Sequence, residues 1–307
     1  MNLLNGIEAV PMEIEPFYEG LIFKWDDGKA YHLDISEDYI SSYVLTAGSP
    51  SRIKLVSEFL EEPKVYEAPR GFTIVKGYYR EILVSGFSSG IGPSSMAITL
   101  SEYLEMLLSK SNLGYVIRIG TAGPIQDYID RWSIVIADSV VRDESTSARV
   151  IYPEYPAKMD PIIYLSLLDS AYSHGYTLDK NLFIGAVQSK DDLYYYEGFH
   201  NSPLESSNRS RFQALKEMGV LATEMEASIL PIIRDYFKYR YRKMGRSIGL
   251  YVGAILLILK GRFNKEELLG HEEILVKISL NALYTIDQFI KGRKSLDNIL
   301  RWVSSGY

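Results

Sequence analysis

Cysteine is missing from this chain of 307 residues, and its absence removes disulfides, thiolate metal sites and cysteine nucleophiles together. An intracellular, cytoplasmic setting is the expectation that follows. Histidine is scarce: His32, His174, His200 and His271 are the full set, and none falls in an HExxH or similar metal-binding spacing. Metalloprotease chemistry is excluded, serine-hydrolase chemistry is set aside, and no metal is expected. Positive charge is in deficit, with 33 Lys and Arg against 39 Asp and Glu for a net charge of −6 and a pI near 5.4. A polymeric nucleic acid partner requires a basic face, so none is expected. Long apolar runs are lacking too. The longest, 249–259, is too short for a bilayer, and the opening MNLLNGIEAVPMEIEP has no basic stretch before an apolar core. Neither a membrane partner nor a secretory signal is expected.

Hydrophobic residues at 47% and charged ones at 23% are ordinary globular usage, which excludes intrinsic disorder and a fibrous repeat. At ~150 residues per domain the length admits two domains or one large α/β unit. No internal repeat or low-complexity tract is found. Residues 1–40, with Pro11, Pro16 and Gly20 among charges, read as an extended lead-in. Residues 41–307 read as a single domain with a helical C-terminal extension from about residue 265. Short β-rich runs recur at 43–47, 72–75, 81–87, 115–119, 133–141, 182–188 and 249–259, and helical patterns lie between them. In 94–110, Met96, Leu100, Leu104 and Leu107 share one stripe. Asp160, Pro161 and Gly175 start and stop a second helix. A long helix is expected from Glu224 to about Arg242, kinked at Pro231, and a last one over 265–291 with Gly270 as a weak point. This alternation predicts a layered α/β/α domain around a twisted, mixed central sheet. The runs at 115–119 and 249–259, apolar almost throughout, belong at its centre.

Four segments can carry chemistry. Gly48-Ser49-Pro50-Ser51-Arg52 follows the first run and opens a helix patterned by Ile53, Val56 and Leu60. Glycine permits a sharp turn, Ser49 can cap, Pro50 suits the first helical position and Arg52 falls in the first turn. Free N–H groups and a guanidinium there make a phosphate site; an ordinary capped helix with a solvated arginine is the alternative. Gly90-Ile91-Gly92-Pro93-Ser94-Ser95 superficially resembles a dinucleotide fingerprint, but Ser95 replaces the third glycine and no acidic residue ends a strand about 20 residues on. A nicotinamide cofactor is not expected, and a backbone approaching a small ligand remains. Within 115–123, Arg118 stands in an apolar strand, where burial demands an anionic partner, structural carboxylate or ligand. Gly120 and Thr121 come just past that strand's expected end, where open α/β sheets bind ligands. Finally, Thr223 and Glu226 have the spacing of a capping box. The Glu226 carboxylate could instead accept two hydrogen bonds from a vicinal diol such as a ribose offers.

Together and in this order, the segments resemble the nucleoside phosphorylase family of the hexameric, uridine phosphorylase type, over about 32–259. Tyr31-His32-Leu33 looks like the family's N-terminal histidine, GSPSR stands where GDPxR is usual, and Arg70 in Pro69-Arg70-Gly71-Phe72 resembles its second phosphate arginine. GIGPSS, IRIGTAG and TEMEAS then follow with similar spacing, and the Arg-Ile-Gly-Thr form looks closer to uridine than to purine enzymes. The resemblance implies phosphorolysis of a nucleoside, uridine first, to free base and ribose 1-phosphate. Gly48, Arg52, Arg118 and Thr121 would bind phosphate, joined by Arg70 from a neighbouring subunit. Met225 and Glu226 would hold the ribose, with His32 from the neighbour at the 5′ hydroxyl. No cofactor is implied, since inorganic phosphate is a co-substrate. The implied assembly is a homodimer as minimal unit within a homohexamer.

The base half departs from the pattern. Glu197 and Phe199 stand where the family reads uracil with glutamine and arginine, and Leu193 where an aromatic stacks on the base. Gly123, Leu193, Tyr194 and Glu197 are the candidate base-pocket residues, with Tyr195 and Tyr196 as further stacking candidates and Gln188 as an unmatched polar one. Residues 256–258 hold neither the aspartate of purine enzymes nor the arginine of uridine ones, and Gly71 replaces a glutamate that binds a monovalent cation in some relatives. The alternatives are a purine nucleoside phosphorylase, a nucleoside hydrolase of the same fold, and a non-catalytic nucleoside-binding protein. Three phosphate arginines weigh against the hydrolase.

Overall fold

The two apolar runs assigned to the middle of the sheet are neighbours there, paired in parallel from Gly249↔Leu113 to Ile258↔Ala122. The structure, a computed structural model, describes residues 20–197 and 202–294. In chain order the elements are β1 (Tyr43–Ala47), α1 (Pro50–Ser57), β2 (Glu61–Glu67), β3 (Thr73–Tyr79), β4 (Ile82–Ser88), α2 (Pro93–Lys110), β5 (Leu113–Pro124), β6 (Ile134–Asp143), α3 (Ser147–Val150), β7 (Ala157–Lys158), α4 (Pro161–Ser173), β8 (Leu182–Lys190), α5 (Glu205–Glu217), β9 (Ala222–Glu224), α6 (Ile229–Lys243), β10 (Gly249–Ile258) and α7 (Lys265–Ile290).

The strands form one mixed sheet in the order β10-β6-β8-β9-β5-β1-β4-β3-β2, with β7 beside β6, and a further β10–β5 pairing closes five of the strands into a ring. Helices cover both faces, as the sequence predicts. On one side α2 and α6 contribute Met96, Leu100, Leu104, Ile229 and Phe237 to the core. On the other, α1, α4 and α7 contribute Ile53, Leu167, Leu275 and Leu283. Removing such apolar area from water is the main stabilising term, about 25 cal/mol per Å². Among the described residues no helix is long and apolar enough to cross a membrane.

Three expectations are corrected. The body does not begin at residue 41: Ala30, Leu33 and Ile35 are fully buried in the core, so only residues 1–19 of the expected lead-in lie outside the described residues. The helix expected from Glu224 starts at Ile229, because 222–224 form a strand held by β5 on one side and β8 on the other. Pro231 thereby falls in the first helical turn, where N–H groups have no intrahelical acceptor, and the cause of a kink disappears. The C-terminal helix is no appendage, since α7 packs Leu275, Val276, Ile278, Leu280 and Leu283 fully into the core and runs unbroken through Gly270.

Candidate functional site

The middle strand changes partners partway along. Residues 115–118 of β5 pair with β1, residues 123–124 pair antiparallel with β9, and residues 119–122 between them have a strand neighbour only on the β10 side. Because β1 and β9 run toward this interval from opposite directions, the chain leaves both of them into the same gap. Gly48 follows β1 there, and Met225 and Glu226 follow β9. β8, parallel to β9 with Ser189 opposite Glu224, ends alongside. Such a break in sheet order is where α/β folds place ligands.

Arg118 lies at the edge of the gap, opposite Thr46 of β1, and its side chain is 4% exposed. Nε and Nη2 donate to Glu224 Oε2 at 3.1 and 3.0 Å, and Nη2 also donates to Glu226 Oε2. The remaining nitrogen, Nη1, is buried without a hydrogen-bond partner, as is Thr46 Oγ1. Leaving such a donor unpaired costs about 1–3 kcal/mol, and an anion is the natural acceptor for it. The two alternatives read from sequence are thus combined: one edge of the guanidinium is paired with structural carboxylates, and the other edge has capacity for a ligand. Burial works against the Arg118 charge, but Glu226 and Glu224 outweigh it and hold the group above its ordinary pKa. Gly120 makes room, because a Cβ there would stand 3.2 Å from Nη2.

Glu226 is not the helix cap its spacing suggests. Its Oε1 accepts from Gly92 N at 2.6 Å and lies 4.0 Å from where a Cβ on Gly48 would be. Burial raises its carboxyl above the ordinary 4.5, Arg118 opposes the rise and Glu224 adds to it. The GIGPSS turn accordingly presents its backbone to a carboxylate, with Gly90 and Gly92 at φ 73° and 91°, in a region that favours glycine. A Cβ on Gly48 would meet Gly90 O at 3.1 Å, so the two loops are closely apposed.

Arg52 is also buried. Its Nε and Nη2 donate to Glu272 Oε1 of α7 and its Nη1 to Ile119 O at 3.2 Å, which sets it against the start of the gap. Ser49 occupies the cap position without capping; its hydroxyl pairs with that of Ser51. Thr121 and Met225 line the gap half-buried. The glycine and threonine expected past the strand end lie within β5, which continues to Pro124.

His32 and Arg70 are held elsewhere. His32 Nδ1 is 2.6 Å from Glu102 Oε1, a carboxylate that also accepts the backbone N–H groups of His32 and Leu33. Exposed Arg70 rests on the Tyr31 ring, 5.2 Å from its centroid. Among the described residues no hydrogen bond or ion pair joins either one to Arg52, Arg118 or Glu226. Of the base-pocket candidates, Gly123 lies in the β5–β9 ladder, Leu193 and Tyr194 are exposed, and Glu197 pairs with Lys190. Tyr196 lies under Arg211 at 5.5 Å. Gln188 is buried and committed to Asp143 Oδ2 at 2.6 Å. Phe199 and His200 lie outside the described residues.

Sequence reasoning missed the partners that hold these residues: Glu224 for Arg118, Glu272 for Arg52, Glu102 for His32 and Lys190 for Glu197. It also passed over Gly86-Phe87-Ser88-Ser89-Gly90, which spells the GxSxG of a hydrolase elbow. Ser88 is fully buried and its Oγ accepts from Thr73 N at 2.8 Å, so burial withholds it from any substrate.

Residues 42–234 match the family described as the Phosphorylase superfamily. The chain is 28% identical to a uridine phosphorylase of Thermococcus kodakarensis, over 82% of this chain and 85% of that one. It is 30% identical to a DeoD-type purine nucleoside phosphorylase of Listeria welshimeri, over 78% of this chain and 91% of that one. Among solved structures, a uridine phosphorylase from Vibrio fischeri shares the fold with a TM-score of 0.67 at 23% identity, covering 87% of this chain and all of that one.

Proposed function

The chain belongs to the phosphorylase superfamily, and on that premise we propose that it is a nucleoside phosphorylase, a pentosyltransferase that cleaves a nucleoside with inorganic phosphate, uridine being the first choice. The observation that carries this is the gap beside β5, where buried Arg118 offers an unpartnered Nη1 next to the Glu226 carboxylate. Phosphate binds between Gly48, Arg52, Arg118 and Thr121. Ribose lies over Met225 with its 2′ and 3′ hydroxyls on Glu226. A phosphate oxygen attacks C1′ as the C1′–N bond breaks, and the bond's electron pair leaves with the base. The products are ribose 1-phosphate and, once the base is protonated, the free base. The transition state has oxocarbenium-like character, so positioning a dianion below C1′ and complementing charge do most of the work. No covalent enzyme intermediate is needed.

Arg70 and His32 serve the site of a neighbouring subunit, making a homodimer the minimal unit within a hexamer. Support for this is that their partners lie outside the gap, Glu102 for His32 and the Tyr31 ring for Arg70. The corresponding role is cytoplasmic nucleoside salvage. Release of base from uridine and inosine, with and without phosphate, tests the assignment. Base and ribose 1-phosphate formed only with phosphate are expected. Phosphate-independent release would instead indicate a hydrolase, and nucleoside binding without release a non-catalytic binding protein.

A further inference from the structure

The last turns of α6 and the residues just past it concentrate positive charge in an otherwise acidic chain. Lys238, Arg240, Arg242, Lys243 and Arg246 fall within nine residues, and no Asp or Glu occurs between Asp235 and Glu266. The unpaired carbonyls at a helix C-terminus favour cations, which accounts for charge here but not for what lies among it. Tyr239 and Met244 are 52% and 60% exposed, and Lys243 Nζ stands 5.8 Å from the centroid of the Tyr239 ring. Arg240 pairs with Glu105 of α2, and Arg246 donates to Leu108 O and Asn112 Oδ1 at the end of that helix. Arg242 and Lys243 are exposed, and among the described residues neither has a carboxylate partner.

The described chain starts at this same end of α2. Glu37 pairs with Lys110 and accepts from Ser109 Oγ at 3.2 Å, and Lys24 also acts on its carboxylate. Residues 1–19 contain Glu8, Glu13, Glu15 and Glu19 and no Lys, Arg or His. Glu13-Ile14-Glu15-Pro16-Phe17-Tyr18-Glu19 intersperses acids with apolar and aromatic residues, and Lys238-Tyr239-Arg240-Tyr241-Arg242-Lys243-Met244 intersperses cations with them. At ~3.4 Å per residue the stretch from Gly20 back to Glu13 reaches about 24 Å when extended, more than twice the ~10 Å width of a helix.

We propose that residues 13–19 dock on the basic, aromatic end of α6 in the same chain, with the glutamates against Arg242 and Lys243 and the apolar residues against Tyr239 and Met244. Single ion pairs on a surface are weak and screened by salt. Tethering supplies the rest, since a segment joined to its target by a short linker meets it at an effective concentration on the order of millimolar. Charge complementarity sets which surface it meets. The assignment is independent of the nucleoside chemistry proposed above.

The absence of cysteine makes an introduced thiol pair an unambiguous probe of this contact. In the full chain carrying Ile14→Cys and Met244→Cys, which leaves every charge in place, oxidation by copper phenanthroline is expected to close a disulfide within one chain. Closure is expected to slow at least about 10-fold between about 0.05 M and about 1 M salt, where the screening length falls to about 3 Å. Adding Arg242→Glu and Lys243→Glu should slow closure at low salt by a similar factor, and adding Glu13→Lys and Glu15→Lys to that variant should restore it, because both signs are then reversed. Circular dichroism and a denaturant midpoint establish that each variant is folded. A closure rate indifferent to salt and to charge reversal would overturn the proposal, as would two reactive thiols that form no disulfide. A disulfide formed mainly between chains would overturn it in favour of a second copy as the occupant. Loss of the disulfide on adding vesicles of anionic phospholipid, with the protein sedimenting on them, would overturn it in favour of a lipid surface.

Discussion

Arg118 meets two demands that pull in different directions. Buried beside two carboxylates it is a structural cation, yet its unpartnered Nη1 is a preorganised donor. Arg118→Ala is expected to cost about 2–4 kcal/mol of transition-state stabilisation, read from kcat/KM at saturating phosphate. The same change leaves Glu224 and Glu226 facing each other without a cation, and removing one partner of a buried pair costs about 3–5 kcal/mol of stability. A denaturant midpoint measured in parallel separates the two effects, and unchanged kinetics in a folded variant would remove Arg118 from the site. Glu226 gives a pH signature. Its carboxyl titrates above the ordinary 4.5 because burial disfavours the ion, so on acidification it takes up a proton earlier than an exposed glutamate. Protonation turns one of its acceptor oxygens into a donor and removes the charge that strengthens its bonds from the ribose hydroxyls. The wild-type kcat/KM is therefore expected to fall on an acid limb lying above pH 4.5, relative to Glu226→Gln, which has lower activity but lacks that limb. Phosphate's own ionisation is common to both and cancels in the ratio.

The elements that place these residues were legible to different degrees, for physical reasons. β1 and α2 were plain, because their apolar spacing reflects one or two buried faces. β2 was not: it is an edge strand exposed along almost its whole length and filled with charge, as edges that avoid aggregation are. β9 is three residues long, and its tertiary pairing overrides the capping-box spacing of Thr223 and Glu226. α5 carries only Leu215 as a buried residue and so shows little stripe. Gly48, Arg118 and Glu226 could be named from local chemistry and do converge. Glu272 could not, since 220 positions separate it from Arg52 and only packing of α7 brings them together. That packing has a consequence at the site. Glu272→Ala frees two of the Arg52 donors from their fixed direction and is expected to raise the phosphate KM about tenfold, or about 1.4 kcal/mol, with the nucleoside KM unchanged. Equal loss toward both substrates would show that α7 supports the fold without orienting Arg52.

At the scale of the molecule, the proposed site is divided between what one chain gathers and what a partner would supply. Arg52, Arg118 and Glu226 are drawn together at the gap in the sheet. Arg70 is exposed on Tyr31, beside half-exposed Trp25 and Phe23, and His32 is anchored by Glu102 on α2. Three donors converge on Glu102 and fix His32, and in the proposed dimer that arrangement presents it to the gap of the partner chain. The proposed two-fold dimer would make this reciprocal, because the surface each subunit offers is the surface its partner needs. Complementation follows from that symmetry. A protomer carrying Arg118→Ala and one carrying Arg70→Ala are each expected to be nearly inactive alone, since every site in either homodimer lacks one arginine. In a mixed dimer one site lacks both and the other has both. Unfolding and refolding an equal mixture should make half the dimers mixed, with one complete site in each, restoring about a quarter of wild-type activity. Dilution to a fully active monomer in sedimentation, or a mixture no more active than its parents, would show that each chain completes its own site.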